Sequence, residues 1–265
     1  MSYNTIEIKE KRTMQARSIV EDIPSTQIPG STTRHWSKTQ AQWAAATLLA
    51  MMAGYLDGYG FFFLKTYVSF MSGNTTSTGL KIGQGVFQAA IPSAIAIVFF
   101  ATGSFLGNVL TQSKLRHSHR LVFGLIATLL AIVSILQWSG VSQVNFEIVF
   151  LCMSMGMANP ALSKIGAEAV SVTFVTGSLS RLGGYLASAA AGKPLKEEQG
   201  PIATPLFREI ADSQLSRAWV EATIWCAFLV GAVLSGIAGS SDFRMWALLP
   251  PFVVMLALSL FSSVD

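Results

Sequence analysis

Two twelve-residue segments contain most of the polar side chains with which this chain could do chemistry. Residues 68–79 read VSFMSGNTTSTG, and residues 172–183 read VTFVTGSLSRLG. Each joins hydroxyl side chains to a glycine at which a helix can break and start again. A helix start offers free backbone N–H groups and the positive end of the helix dipole. Two such starts predict a site for a small polar or anionic solute.

Nine residues in and around these segments are candidate binding residues. Asn74 and Ser178 are expected to cap the two helix starts, because Asn and Ser are favoured N-cap residues. Asp57 and Arg181 are charged residues in apolar surroundings, where an ionisable group is costly unless paired or hydrated. We expect them either to form a central ion pair or to act as the proton- or cation-sensitive group and the anion-binding group of a site. The full set is Asp57, Ser72, Gly73, Asn74, Asn159, Thr176, Gly177, Ser178 and Arg181.

Two structural interpretations compete with a binding site. Small and hydroxyl residues also let helices pack closely in lipid, so the two segments could serve packing alone. Asp57 could lie at the membrane surface, near Lys65, and simply be solvated.

The sequence lacks the residue patterns that are typical of enzyme active sites. It contains no phosphate-binding loop, no Ser-His-Asp arrangement and no CxxC motif. Cys152 and Cys226 lie in separate apolar runs, and His35, His117 and His119 lie in the N-terminal tail and a loop. We therefore predict no catalytic residue, no metal site and no cofactor. The basic residues are not interleaved with aromatic ones, so nucleic acid is not an expected partner.

Composition predicts a multi-pass membrane protein whose main partner is the lipid bilayer. The chain is 51% hydrophobic and 12% charged, whereas soluble domains carry about 25% charged residues. Six apolar stretches are long enough to cross about 30 Å of hydrocarbon. They are residues 41–64, 87–110, 119–138, 146–165, 217–239 and 243–262.

An internal repeat connects these stretches. The two polar segments align without gaps at an offset of 104 residues, and GYLD at 54–57 echoes GMAN at 156–159. GSFLG at 103–107 likewise echoes GAVLS at 231–235. The pattern predicts an all-α bundle of two tandem repeats, about 41–140 and 145–263, with four segments each. The pairs Gly54–Gly58 and Gly103–Gly107 also indicate close helix packing.

The distribution of Lys and Arg predicts the topology. Residues 1–40 are polar and carry six Lys/Arg, so we expect a disordered cytoplasmic tail before an integral membrane domain of 41–263. Beyond the tail, six full spans plus two polar motif helices that enter and return place eight Lys/Arg inside and three outside. Eight full membrane helices would place five Lys/Arg inside and six outside, against the usual excess on the cytoplasmic side. The first arrangement, in which the two repeats are inverted, is therefore favoured.

Three stretches in a fixed order resemble the YoaK-like family of bacterial and fungal membrane proteins. They are AGYLDGYGF at 53–61, YVSFMSGNTTSTGLKIGQG at 67–85 and VTFVTGSLSRLG at 172–183. The resemblance covers about 41–263 and implies a compact polytopic membrane protein; the family's function is unknown. Ser72 stands where the family more often has Thr, and it keeps the hydroxyl. The positions that fall on the family's signature are Gly54, Asp57, Gly73, Asn74, Thr176 and Gly177.

The sequence thus favours a small-solute transporter or channel whose site lies at the membrane midplane between two repeats. The alternative is a non-transporting membrane scaffold or an accessory protein of a metabolic pathway, in which the polar segments serve only packing. Either function is compatible with a homo-oligomer.

Overall fold

The computed structural model describes residues 32–113, 117–141, 143–161, 164–165, 168–169, 175–192, 207–239 and 246–261. The chain divides into a unit of residues 1–38 and a unit of residues 39–265. All contacts discussed below lie within the second unit.

The described residues form eight α-helices and an antiparallel hairpin of two strands with two residues each. Helix α1 begins at Thr32, inside the segment predicted as a tail, and passes directly into a π-helical turn, Gly60–Leu64. The hairpin pairs β1 (Lys164–Ile165) with β2 (Glu168–Ala169). The helices are α1 (Thr32–Tyr59), α2 (Met71–Gly83), α3 (Phe87–Gln112), α4 (Ser118–Trp138), α5 (Val144–Ala161), α6 (Val175–Ala191), α7 (Phe207–Gly239) and α8 (Leu249–Phe261).

In the part of the chain that the structure describes, four helical segments are long and apolar enough to cross a membrane. They agree with four of the six predicted spans and comprise Ala44–Leu64, Phe87–Gln112, Ser118–Trp138 and Ser213–Gly239. The other two predicted stretches, 146–165 and 243–262, coincide with α5 and with the shorter apolar helix α8.

The first polar segment forms a helix that is too short to span. Helix α2 has 13 residues, which at about 1.5 Å per residue reach about 20 Å, against about 30 Å of hydrocarbon. Helix α6, from the second segment, has 17 residues, or about 25 Å. Helix α2 packs on α3, and α6 packs on α7.

Helix α1 is the most buried of the four membrane segments. Within the protein, 61% of its apolar window is buried, against 17% for the segment in α7. Its fully buried side chains include Leu49, Leu56 and Tyr59, which belong to the same core as Leu130 of α4. Burial of α1 carries Asp57, near its C-terminal end, into the interior and away from lipid.

Helices α1 and α7 cross in backbone contact at glycines. A Cβ atom on Gly54 would collide with the carbonyl oxygen of Phe228, and one on Gly231 would collide with the carbonyl oxygen of Met51. The backbones can approach this closely only where no side chain intervenes. The close packing predicted for Gly54 is therefore confirmed.

Helices α3 and α5 cross in a similar way. A Cβ on Gly103 would collide with the carbonyl oxygen of Met153, and one on Gly156 would collide with the carbonyl oxygen of Phe100. One turn beyond Gly103, Gly107 faces backbone atoms of α5. Both predicted glycine pairs thus lie at helix crossings.

Candidate functional site

Asp57 holds the irregular segment between α1 and α2. Its Oδ1 accepts hydrogen bonds from the backbone N–H groups of Val68 (2.8 Å) and Ser69 (2.5 Å), and its Oδ2 accepts one from the Ser69 hydroxyl (2.7 Å). The side chain is 5% exposed. Backbone N–H groups that follow the end of a helix lack a helical partner, and inside a membrane protein they have no water to bind. The Asp57 carboxylate accepts the hydrogen bonds of these N–H groups.

Asn74 holds the same segment from the other side. Its amide donates to the carbonyl oxygen of Tyr67 (2.7 Å), and its Oδ1 accepts from the Tyr67 N–H (3.1 Å). The prediction that Asn74 and Ser178 are N-caps was wrong, because α2 begins at Met71 and α6 at Val175. Each residue lies one turn inside its helix. From that position the Asn74 side chain can reach back past the helix start to Tyr67.

A cavity of about 420 Å³ lies where the two polar segments meet. Asp57 and Tyr67 line it from the first half of the chain, and Thr176 lines it from the second. The remaining lining residues are apolar or glycine: Gly54, Gly58, Phe61, Phe70, Val175, Phe228 and Ala232. Asp57 carries the only formal charge among these described residues.

Three aromatic rings form a corner of this cavity. Phe61 and Tyr67 are stacked, with ring centroids 5.3 Å apart and planes at 21°. Phe70 meets Tyr67 edge to face at 5.2 Å and 88°. Three rings in mutual contact therefore line the cavity together with Asp57.

Gly73 makes room for that corner. A Cβ on Gly73 would lie 2.5 Å from Cδ1 and Cε1 of Phe70 and 3.2 Å from Cδ2 of Tyr67. The glycine of the first polar segment thus allows the Phe70 ring to lie over the start of α2. The sequence indicated a backbone break here, whereas the structure uses the glycine for side-chain packing.

Arg181 pairs with Glu221 of α7, whereas an ion pair with Asp57 was one of the expectations from the sequence. Its Nε donates to Oε1 (2.5 Å) and its Nη2 to Oε2 (3.2 Å), and Nη2 also donates to the Ser178 hydroxyl (3.3 Å). Glu221 is 1% exposed and Arg181 33% exposed. Sequence reasoning missed Glu221, although a lone acidic residue inside the apolar run of α7 was the available signal.

The remaining predicted site residues lie around this cavity in different environments. Gly177 and Ser178 are buried in the first turn of α6, next to the cavity-lining Thr176. Ser72 is exposed on α2, and Asn159 is half-buried on α5. Of the nine candidates, Asp57 and Thr176 line the cavity directly, and Gly73 and Asn74 shape its wall.

A second buried polar cluster joins α1, α4 and α5. Glu147 Oε2 accepts from the Tyr59 hydroxyl (3.0 Å) and from Gln137 Nε2 (2.9 Å), and Gln137 also donates to the Tyr59 oxygen. Glu147 is 2% exposed. The sequence placed Glu147 at the start of a span and gave no sign that α1 would cover it.

Comparison with known proteins identifies the family of this chain. Residues 45–261 match a family described as "Protein of unknown function (DUF1275)". The UPF0700 transmembrane protein RA0705 of Rhizobium meliloti is 31% identical over 149 residues, which cover 56% of this chain and 63% of that protein. The UPF0700 transmembrane protein YoaK of Bacillus subtilis is 23% identical over 222 residues, covering 80% of this chain and 90% of that protein. The chain thus matches less than two thirds of the first relative's length, and no solved structure matches.

Proposed function

This chain belongs to the DUF1275 family of transmembrane proteins, and from that premise we propose that it transports or conducts a small solute through the cavity between its two polar segments. The supporting observation is the cavity itself. Its volume of about 420 Å³ falls within the range of about 300–1,000 Å³ that is usual for small-molecule sites. Its lining combines mostly apolar groups with a few polar ones, as such sites do.

The proposal includes two inverted repeats, each contributing one wall. Met51 and Gly54 at the α1–α7 crossing correspond to Met153 and Gly156 at the α3–α5 crossing, in both cases 102 positions later. Their partners, Phe100 and Gly103, correspond in the same way to Phe228 and Gly231, 128 positions later. Helices α2 and α6 also begin 104 positions apart, which is the offset of the motif. Repeats that meet at a central site with broken helices are a common plan of transporters.

The proposal also includes six full spans, two short motif helices and a cytoplasmic N-terminus. The length of α2 supports it, and so does the balance of Lys and Arg. In a chain with Cys152→Ala and Cys226→Ala, we expect a membrane-impermeant maleimide on intact cells to label Ser139→Cys and not Ser113→Cys. The opposite labelling pattern would indicate eight spans and contradict this topology.

Solute binding can be tested by blocking the cavity. Thr176→Trp would fill the space from α6, and Ala187→Trp, about three turns along the same helix and exposed, is the matched control. We expect at least one solute from a panel of amines, amino acids, carboxylates and sugars to stabilise purified wild type and the control but not Thr176→Trp. A solute at 100 times its Kd adds about 2.7 kcal/mol to folding stability. Uptake of that solute by proteoliposomes should show the same dependence on the variants.

Asp57→Asn would change both the charge of the cavity and the structure of its wall, so it cannot test transport alone. The carboxylate accepts three hydrogen bonds from residues 68 and 69, so loss of its charge would also loosen the segment that forms the cavity wall. Thr176 serves better, because its side chain is exposed to the cavity.

One observation favours the alternative of a non-transporting scaffold or accessory protein. Asp57 and Asn74 form hydrogen bonds with residues 67–69 of the same chain, as expected of side chains that only hold a loop in place. A solute panel that leaves the melting temperature of wild type and Thr176→Trp unchanged, with no uptake by proteoliposomes, would support this alternative.

A further inference from the structure

Resting on the proposed function, we propose that the solute is a small organic ammonium cation. Its positive charge would lie between the Asp57 carboxylate and the ring faces of Phe61, Tyr67 and Phe70. Its apolar substituents would fill the rest of the cavity, against Phe228 and Ala232.

The charge of the lining favours a cation. Asp57 brings a negative charge to the cavity, and it is the only charged residue among the described residues that line it. Two of the cations near the polar segments, Lys65 and Arg181, have partners of their own. Lys65 donates to the carbonyl oxygen of Phe62 (3.0 Å), and Arg181 binds Glu221.

The aromatic corner supplies the second half of the recognition. A cation within about 6 Å of a ring centroid is attracted by the negative face of the ring, and ammonium groups that carry alkyl substituents are commonly bound in this way. Phe61, Tyr67 and Phe70 all line the same cavity as Asp57, so a cation bound there would have aromatic rings within reach. A neutral solute of the same shape would gain only apolar contact, and an anion would meet both the carboxylate and the ring faces unfavourably.

The corner is held rigidly in place. Asn74 fixes the backbone of Tyr67 through two hydrogen bonds, and Asp57 fixes the next two residues. The stacked Phe61 and the absence of a side chain on Gly73 complete the arrangement. A site that already has its bound geometry loses less conformational entropy when a ligand binds, so its affinity is higher.

The test compares solutes of one shape and different charge. The melting temperature of the full-length protein in dodecyl maltoside is measured against tetramethylammonium, benzyltrimethylammonium, neutral 3,3-dimethyl-1-butanol and benzoate, at constant ionic strength. We expect saturable stabilisation by the two cations only. Phe70→Leu, which keeps an apolar side chain but loses the ring, should raise their Kd roughly tenfold. Phe70→Tyr should keep wild-type affinity.

The outcomes separate this proposal from the proposed function. If the neutral alcohol or benzoate stabilises wild type as well as the cations do, and Thr176→Trp removes the effect, the site stands and the cation assignment is overturned. If Phe70→Leu and Phe70→Tyr bind the cations equally, the aromatic corner has no part and the assignment is likewise overturned. If no probe in either arm of the experiment has an effect, the cation assignment is overturned, and the wider solute panel with Thr176→Trp decides the proposed function.

The same chemistry could come from the trimethylammonium group of a choline lipid, since Phe61 and Phe70 are exposed at the cavity mouth. A second arm compares nanodiscs of phosphatidylcholine with nanodiscs of phosphatidylglycerol, without added solute. Stabilisation by the soluble cations supports a free solute. Stabilisation by phosphatidylcholine alone, lost in Phe70→Leu, supports the lipid headgroup and contradicts the transport of a solute.

Discussion

Gly231→Ala is expected to lower the stability of the folded protein by about 3 kcal/mol, a large effect for one methyl group. The new Cβ would collide with the carbonyl oxygen of Met51 and approach the backbone nitrogen of Tyr55 within 2.9 Å. Backbone atoms of a buried helix cannot turn aside, so α1 and α7 would have to separate. Thermal or denaturant unfolding of the purified protein measures the loss.

Gly236→Ala is the matched control on the same helix. Nothing lies within 4 Å of the Cβ that it would add, and Ala favours a helix over Gly by about 1 kcal/mol. The control should therefore be neutral or stabilising. Equal effects of the two substitutions would show that the α1–α7 contact is not as close as described.

Arg181→Met is expected to destabilise the protein by about 3–5 kcal/mol, because it leaves the Glu221 carboxylate buried without its cation. Glu221 is 1% exposed, and both of its oxygens accept from the guanidinium. The measurement is denaturant unfolding of the purified variant. The pair joins α6 to α7, so we also expect the second polar segment to become accessible to proteases.

The double variant Arg181→Met with Glu221→Leu distinguishes loss of a partner from loss of packing. Replacing both members of a buried ion pair by apolar residues of similar volume is often close to neutral. We therefore expect the double variant to regain most of the stability. A double variant as unstable as Arg181→Met alone would mean that the ion pair is not the cause.

The sequence predicted the helical membrane fold from local signals. Long apolar runs located the helices, because only a helix satisfies its backbone within lipid without a neighbour. Glycines four residues apart located two crossings. What the pattern could not show was the choice of partner: Gly54 faces Phe228 and Gly103 faces Met153, and that choice depends on the packing of the whole bundle.

The candidate site was predicted in part, for similar reasons. Asp57 and Thr176 were chosen because they are polar in apolar surroundings, and both line the cavity. The role of Asp57 in binding Val68 and Ser69 depends on how the chain turns after α1, which composition does not reveal. The pairing of Arg181 went undetected because Glu221 lies 40 residues away, and a lone acidic residue in an apolar run does not show which cation it will face. Phe61, Tyr67 and Phe70 were missed because aromatic residues are expected on any lipid-facing helix.

The crossing of α1 with α7 has a consequence for biosynthesis. Gly54 of α1 is made almost 180 residues before its partner Gly231, which at about 5–20 residues per second is a delay of roughly ten to forty seconds. During that time Gly54 has no helix against which to pack. We therefore expect chains truncated before Gly231 to leave the glycine face of α1 uncovered and to be degraded faster than the full-length protein.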